Sequence, residues 1–253
     1  MWTAIRLSII IAGLLLAASL PARADVLSPF TATYQGSYSF LSVGEATFEL
    51  SRWGACWHWH GAADPAGLAA LLMGNVTDNS YFCKVDNRLQ PRQFSHREAA
   101  DAEDSYDLKF TWPQGLASYN GGAGFQVPEG AIDPFLLQLA ARRWLAQSDH
   151  PTSEQPQEFV VVDEDEVKHY RLAVSQGKRI TVPAGTFDTV RIARVDKKDE
   201  ELVFWAAPKL DFLPVLVEHR EDGKTGLRLT LSSFHREQQK VIQKTKERTP
   251  PMS

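Results

Sequence analysis

Most of this chain alternates apolar and polar side chains with a period of two, in short runs broken by glycine or acidic turns. On a β-strand successive side chains point to opposite faces, so this pattern buries one face of a sheet and leaves the other in water. "FTATYQGSYSF" and "GEATFELSRW" show it and are divided at Gly44. "CWHWHGAA", "NSYFCKVDNRLQPRQFSHREA" and "SYDLKFTWPQGLASYN" continue it. It returns in "EFVVVDEDEVKHYRLAV", "KRITVPAGTFDTVRIARV", "ELVFWAAP", "PVLVEHRE" and "GLRLTLSSFH". Turns are expected at Asp86-Asn87, Pro113-Gln114-Gly115, "DEDE", "SQGK", "PAGT", "DKKDE" and "EDGKTG", which carry hairpin chemistry. No repeat of 20 to 50 residues is present, which excludes a propeller or solenoid. The expected fold class is all-β with one or two helices.

Two segments depart from the alternation, and both open Asp-Pro: "DPAGLAALLMG" and "DPFLLQLAARRWLAQS". Asp64 and Asp133 suit helix N-caps, and Pro65 and Pro134 suit the first helical position. The second segment predicts a helix over 134–147. Leu137, Ala140, Ala141, Trp144 and Leu145 share one of its faces, with Phe135, Leu136 and Leu139 elsewhere around it. Leu137, Ala141 and Trp144 are expected against the concave side of a bent sheet. The first segment is short and almost wholly apolar from Ala66 to Met73, which reads as a lid or plug.

The N-terminus sets the compartment. Arg6 precedes an apolar run from Leu7 to Leu20, followed by Ala22-Arg23-Ala24. This is the form of a secretory signal peptide cleaved after Ala24, and the run is shorter than the roughly 20 residues a spanning helix needs. The expected layout is a signal peptide at 1–24, one β-rich domain at 25–236 and a charged tail at 237–253. No later apolar run is long enough to span a membrane, so a periplasmic product is expected. Removing the two arginines of the signal takes the formal net charge from -4 to -6. An acidic surface argues against a nucleic-acid partner. In an oxidising compartment Cys56 and Cys83 are expected as a disulfide rather than as two free thiols.

"ACWHWHG" raises the question of a metal site. On a strand Cys56, His58 and His60 share one face, and Trp57 and Trp59 the other. Two histidines are an incomplete set, since zinc takes three or four protein ligands, and a bridged sulfur is no ligand. The expected reading is a strand with tryptophans in the core and histidines on a polar face, with no cofactor. There is no G-x-S-x-G elbow and no H-E-x-x-H. The acidic "DAED" and "DEDE" read as hairpin tips, and "YNGGAGFQVPEGAI" lacks the spacing of a phosphate loop. No catalytic residues are assigned.

From about Phe30 to Phe234 the chain resembles an exported bacterial family, domain of unknown function 3108. The resemblance is carried by "ATYQGSYSFLSVGEATFEL", "GLAALLMG", "NRLQPRQF", "FTW", the Asp-Pro helix opening, "ITVPAGTFDTVRI" and "FWAAPKLDFLPVLVEH". It implies an all-β exported protein and no particular activity. By analogy of architecture the expected form is a strongly curved antiparallel sheet, a half-open or closed barrel around a helix, as in periplasmic lipoprotein carriers. The functional expectation is a non-enzymatic binder or carrier of a lipid or other amphipathic envelope molecule. The lid and cavity residues expected for it are Leu68, Leu71, Leu72, Met73, Leu137 and Trp144. An envelope scaffold with a protein partner is the alternative, and a metal-dependent or other hydrolase ranks third.

Overall fold

The computed structural model describes residues 26–39, 41–67, 70, 74–148, 152–195, 200–221 and 224–237. Among them the first half of the chain supplies β1 (Phe30–Tyr38), β2 (Leu41–Trp53), β3 (Cys56–Pro65), β4 (Val76–Val85), β5 (Arg88–Glu98), β6 (Tyr106–Thr111), β7 (Leu116–Tyr119) and β8 (Phe125–Gln126). Helix α1 (Leu137–Gln147) follows. The second half supplies β9 (Ser153–Asp163), β10 (Glu166–Val182), β11 (Gly185–Arg194), β12 (Glu200–Ala207), β13 (Leu213–Glu221) and β14 (Lys224–Arg236). All pair as neighbours in one antiparallel sheet of order 8-7-6-5-4-3-2-1-14-13-12-11-10-9. Each half is a meander of consecutive hairpins. The halves meet where β1 pairs with β14, from Phe30 opposite Arg236 to Tyr38 opposite Leu227.

The sheet is not closed by strand pairing, because β8 and β9 stand at its two ends. Ile132, between β8 and α1, makes an isolated parallel bridge with Val161 of β9. The Ile132 N–H donates to Val160 O (3.0 Å), and the Val162 N–H donates to Ile132 O (2.8 Å). The register shifts at Thr33/Tyr34, Gly36/Ser37, Tyr81/Phe82, Gln176/Arg179 and Trp205/Ala206, where bulges bend a strand and increase its twist. α1 occupies the enclosed space.

The turn chemistry explains most joints. Asp86 and Asn87 both have positive φ, which the tight β4–β5 hairpin requires. Three expectations are corrected. Gly44 does not divide two strands. It lies within β2 at a φ of 136°, and a Cβ there would come 2.2 Å from Asp64 O, so its role is to let β2 and β3 approach. "SQGK" is not a turn. β10 runs through it with a bulge between Gln176 and Arg179. Asp64 and Pro65 do not open a helix: β3 continues to Pro65, and the Asp64 carboxylate accepts from Asn75 Nδ2 (2.8 Å). Beyond them, Leu68, Leu71, Leu72 and Met73 lie outside the described residues.

α1 also differs from its expected packing. Residues 134–136 form a turn, and regular helix begins at Leu137. The deepest apolar side chains are Phe135, Leu136, Leu139, Ala141 and Leu145, while Leu137 and Trp144 are half-buried. The expected face was rotated by part of a turn. The cause is that the sheet surrounds the helix, so more than one stripe is apolar. Trp144 packs edge-on against Phe159 of β9 at 6.1 Å between ring centres. Leu139→Ala is therefore expected to cost about 2–5 kcal/mol in denaturant unfolding, and Trp144→Ala less than Leu139→Ala.

Cys56 and Cys83 form a disulfide between the start of β3 and the end of β4, with Cα atoms 4.4 Å apart. It closes a loop whose ends are 27 residues apart in sequence. Thiol titration of unfolded, unreduced protein should find no free thiol. Cys56→Ser with Cys83→Ser should lower the unfolding free energy by roughly 3 kcal/mol.

Candidate functional site

β3 answers the question of the histidines. Trp57 and Trp59 are buried, and His58 and His60 lie on the opposite, half-buried face. Both imidazoles donate to one atom, Asn79 Oδ1, from His58 Nε2 (3.0 Å) and His60 Nδ1 (2.9 Å). The His58 ring stacks on Tyr81 at 4.3 Å. No group of three or more metal-ligating side chains occurs among the described residues. On the core side Phe135 stacks on Trp59 at 5.1 Å, directly over Gly61. A Cβ at Gly61 would come 2.7 Å from the Phe135 ring, so the glycine makes room for the chain entering α1.

That entry is held by a buried carboxyl. Asp133 accepts the Leu136 N–H on Oδ1 (2.7 Å) and the Ser80 hydroxyl on Oδ2 (2.6 Å). Burial pushes its pKa up to about 7 against these two stabilising bonds. A carboxyl raised in this way favours the protonated folded state. Its contribution to stability is complete below the unfolded value near 4 and is lost as pH rises through about 7. Wild-type protein should therefore lose a few kcal/mol more stability between about pH 4 and 7 than Asp133→Asn, which keeps the cap without the charge. Denaturant titrations of both proteins across that range check this.

Beside α1 the interior is not filled. One chamber of about 220 Å³ lies among Tyr34, Phe48, Trp59, Leu213, Val217 and Leu229. A second of about 280 Å³ lies among Leu137, Ala141, Leu172, Ile192, Phe204 and Phe212. Gln138, Arg142, Leu202, Phe204 and Pro214 line both, so the chambers share a wall. Gln138 and Arg142 are one helical turn apart and form that wall's polar ridge. Leu202, which lines both chambers, is 39 % exposed. Each is smaller than the roughly 300–1,000 Å³ of a small-molecule site, and the two together fall within that range.

The β12–β13 turn completes the wall. Asp211 and Phe212 both adopt left-handed backbone, with φ of 50° and 57°, an uncommon state for such residues. The arrangement presents the Asp211 carbonyl to Arg142 Nε (3.2 Å) and the Phe212 ring to the second chamber. The Asp211 carboxylate bonds Arg236 instead. The Tyr34 hydroxyl donates to Pro214 O (2.7 Å), and burial raises its pKa. Burial also pushes Arg142 down to about 10, which leaves it charged near neutrality.

Of the residues expected from sequence, Leu137 lines the second chamber, and Trp144 packs behind it on Phe159. Arg142, Leu202, Phe204 and Phe212 were missed as cavity residues. Adjacent Arg142 and Arg143 among the apolar residues of this helix were the available signal, because charges are seldom buried without a partner.

No curated protein matches the chain. A β-barrel-like protein of domain of unknown function DUF1849 from Brucella abortus is 12 % identical, with a TM-score of 0.47, covering 85 % of this chain and 100 % of its own. MucB is 10 % identical, with a TM-score of 0.34; the match covers 85 % of this chain and spans 55 % of the MucB chain. The family model for proteins of unknown function designated DUF3108 matches residues 30–232, nearly the whole sheet, and the chain belongs to that family.

Proposed function

We propose that the protein is an exported, non-enzymatic binder or carrier of an amphipathic envelope molecule, held between α1 and the sheet. The observation that carries this reading is the pair of adjoining chambers with mostly apolar walls, both lined by the partly exposed Leu202. Apolar side chains facing unfilled volume favour an apolar occupant over water. Export is supported by the signal-like N-terminus and by the Cys56–Cys83 disulfide, which persists in oxidising compartments.

The proposed lid is the 66–73 segment. Its described flanks are anchored, Ala66 by its N–H to Val43 O (2.8 Å) and Gly74 against Ala100. Envelope scaffolding is the second reading. It is favoured by Tyr38 and Leu41, which flank the β1–β2 turn and are 57 % and 72 % exposed.

A neutral apolar fluorophore such as Nile red should bind saturably to the purified protein. Gln138→Phe, which fills the wall common to both chambers, should weaken that binding by about ten-fold or more while the melting temperature stays near wild type. Saturable binding that Gln138→Phe leaves intact would move the site away from the chambers. Absence of any binding would leave the scaffold reading in place.

A further inference from the structure

We propose that the molecule bound in the chambers carries one anionic head group, a carboxylate or a phosphate ester, at the end of an apolar chain, and that Arg142 binds that head group. The proposal rests on the reading of the chambers as a binding site and adds the chemistry of the ligand.

Arg142 is 3 % exposed and lines both chambers. Its guanidinium has five N–H donors. Nε donates to Asp211 O, and the group sits 4.7 Å from the centre of the Phe30 ring. Nη1 is buried and has no hydrogen-bond partner among the described residues. A buried cation is costly unless an anion and further acceptors compensate it. The Asp211 carboxylate favours the Arg142 charge through space, and Arg236 opposes it. The Asp211 carboxylate is engaged by Arg236, and Tyr34 keeps its proton and gives it to Pro214 O.

The walls are biased in the same direction. Among the described residues no carboxylate side chain lines either chamber, in a chain whose formal net charge is -4. The other ionisable side chains lining them are Arg194 and Tyr170 in the second chamber and Tyr34 and His219 in the first. The Arg194 guanidinium lies 4.0 Å over the Tyr170 ring. A carboxylate or phosphate offers the acceptors a guanidinium fork fits best. Placed at the Gln138–Arg142 ridge, it leaves the attached chain to run along apolar wall in either direction. Fastening the β12–β13 turn to α1 explains the bond from Nε and leaves Nη1 unexplained.

The test compares dodecanoate, dodecyl phosphate and dodecanol as monomers, each displacing Nile red from the full chain. The two anions should bind wild type about ten-fold or more tighter than dodecanol, the size of a charge-assisted bond in a dry site. Arg142→Met, which replaces the cation by an apolar chain of similar length, should bind all three alike. Arg142→Gln serves the same comparison should the methionine variant unfold. Equal wild-type affinity for dodecanol and dodecanoate would overturn the head-group assignment while leaving the chambers as a binding site. A preference for anions that survives both substitutions would overturn the role of Arg142. Displacement by inorganic phosphate alone would assign the site to a free anion instead of an amphiphile. Failure of all three chains to displace bound Nile red would overturn the binding reading and the proposal together.

Discussion

The pairing of β1 with β14 is the constraint on which the rest of the structure depends. It joins residues about 200 positions apart, as where the Ser232 hydroxyl donates to Thr33 O, and makes two meanders into one sheet. Each meander can form from local hairpins, whose loops are short and entropically cheap to close. The central seam cannot, because its closure orders nearly the whole chain. Only once it forms do Tyr34 on β1 and Pro214 on β13 come within hydrogen-bond reach, and with them the wall of the first chamber.

The helix inside this sheet is held by more polar groups than its sequence suggests. Asp133 fixes its start to Ser80 of β4. Arg143 donates to the carbonyl and side chain of Asn87 in the β4–β5 turn, and Arg142 to Asp211 in the β12–β13 turn. Neighbouring arginines thus tie one helix to hairpins in opposite halves of the sheet. Arg143 is satisfied by its turn. Arg142 borders both chambers and keeps one donor, Nη1, without a hydrogen-bond partner among the described residues.

The segments that mark the family resemblance converge on this region. "ATYQGSYSFLSVGEATFEL" supplies Tyr34 and Phe48, and "FWAAPKLDFLPVLVEH" supplies Phe204, Phe212, Leu213 and Pro214. The second also contains the two left-handed residues that turn the Asp211 carbonyl inward. The histidines of β3 are in neither segment, and they bond Asn79 on the outer side of the sheet.

Much of this was legible in the chain. Period-two alternation identified the strands because a pleated strand must sort its side chains onto two faces. Asn87 and Gly115 marked turns because few residues tolerate positive φ. The Cys56–Cys83 bridge was legible because the chain has no other cysteine with which either could pair. Local signals failed where the outcome depended on distant backbone. Gly44 looks like a turn until β3 is placed beside it, and Leu137 and Trp144 look like the buried face until a sheet surrounds the helix. The sequence by itself determined a β-rich chain with one helix, a disulfide and an apolar interior, since those depend on period, spacing and composition. Tertiary structure alone decided that the interior is incompletely filled and that Arg142 borders the gap, because a cavity is the volume left between elements distant in sequence, and no stretch of residues encodes it locally.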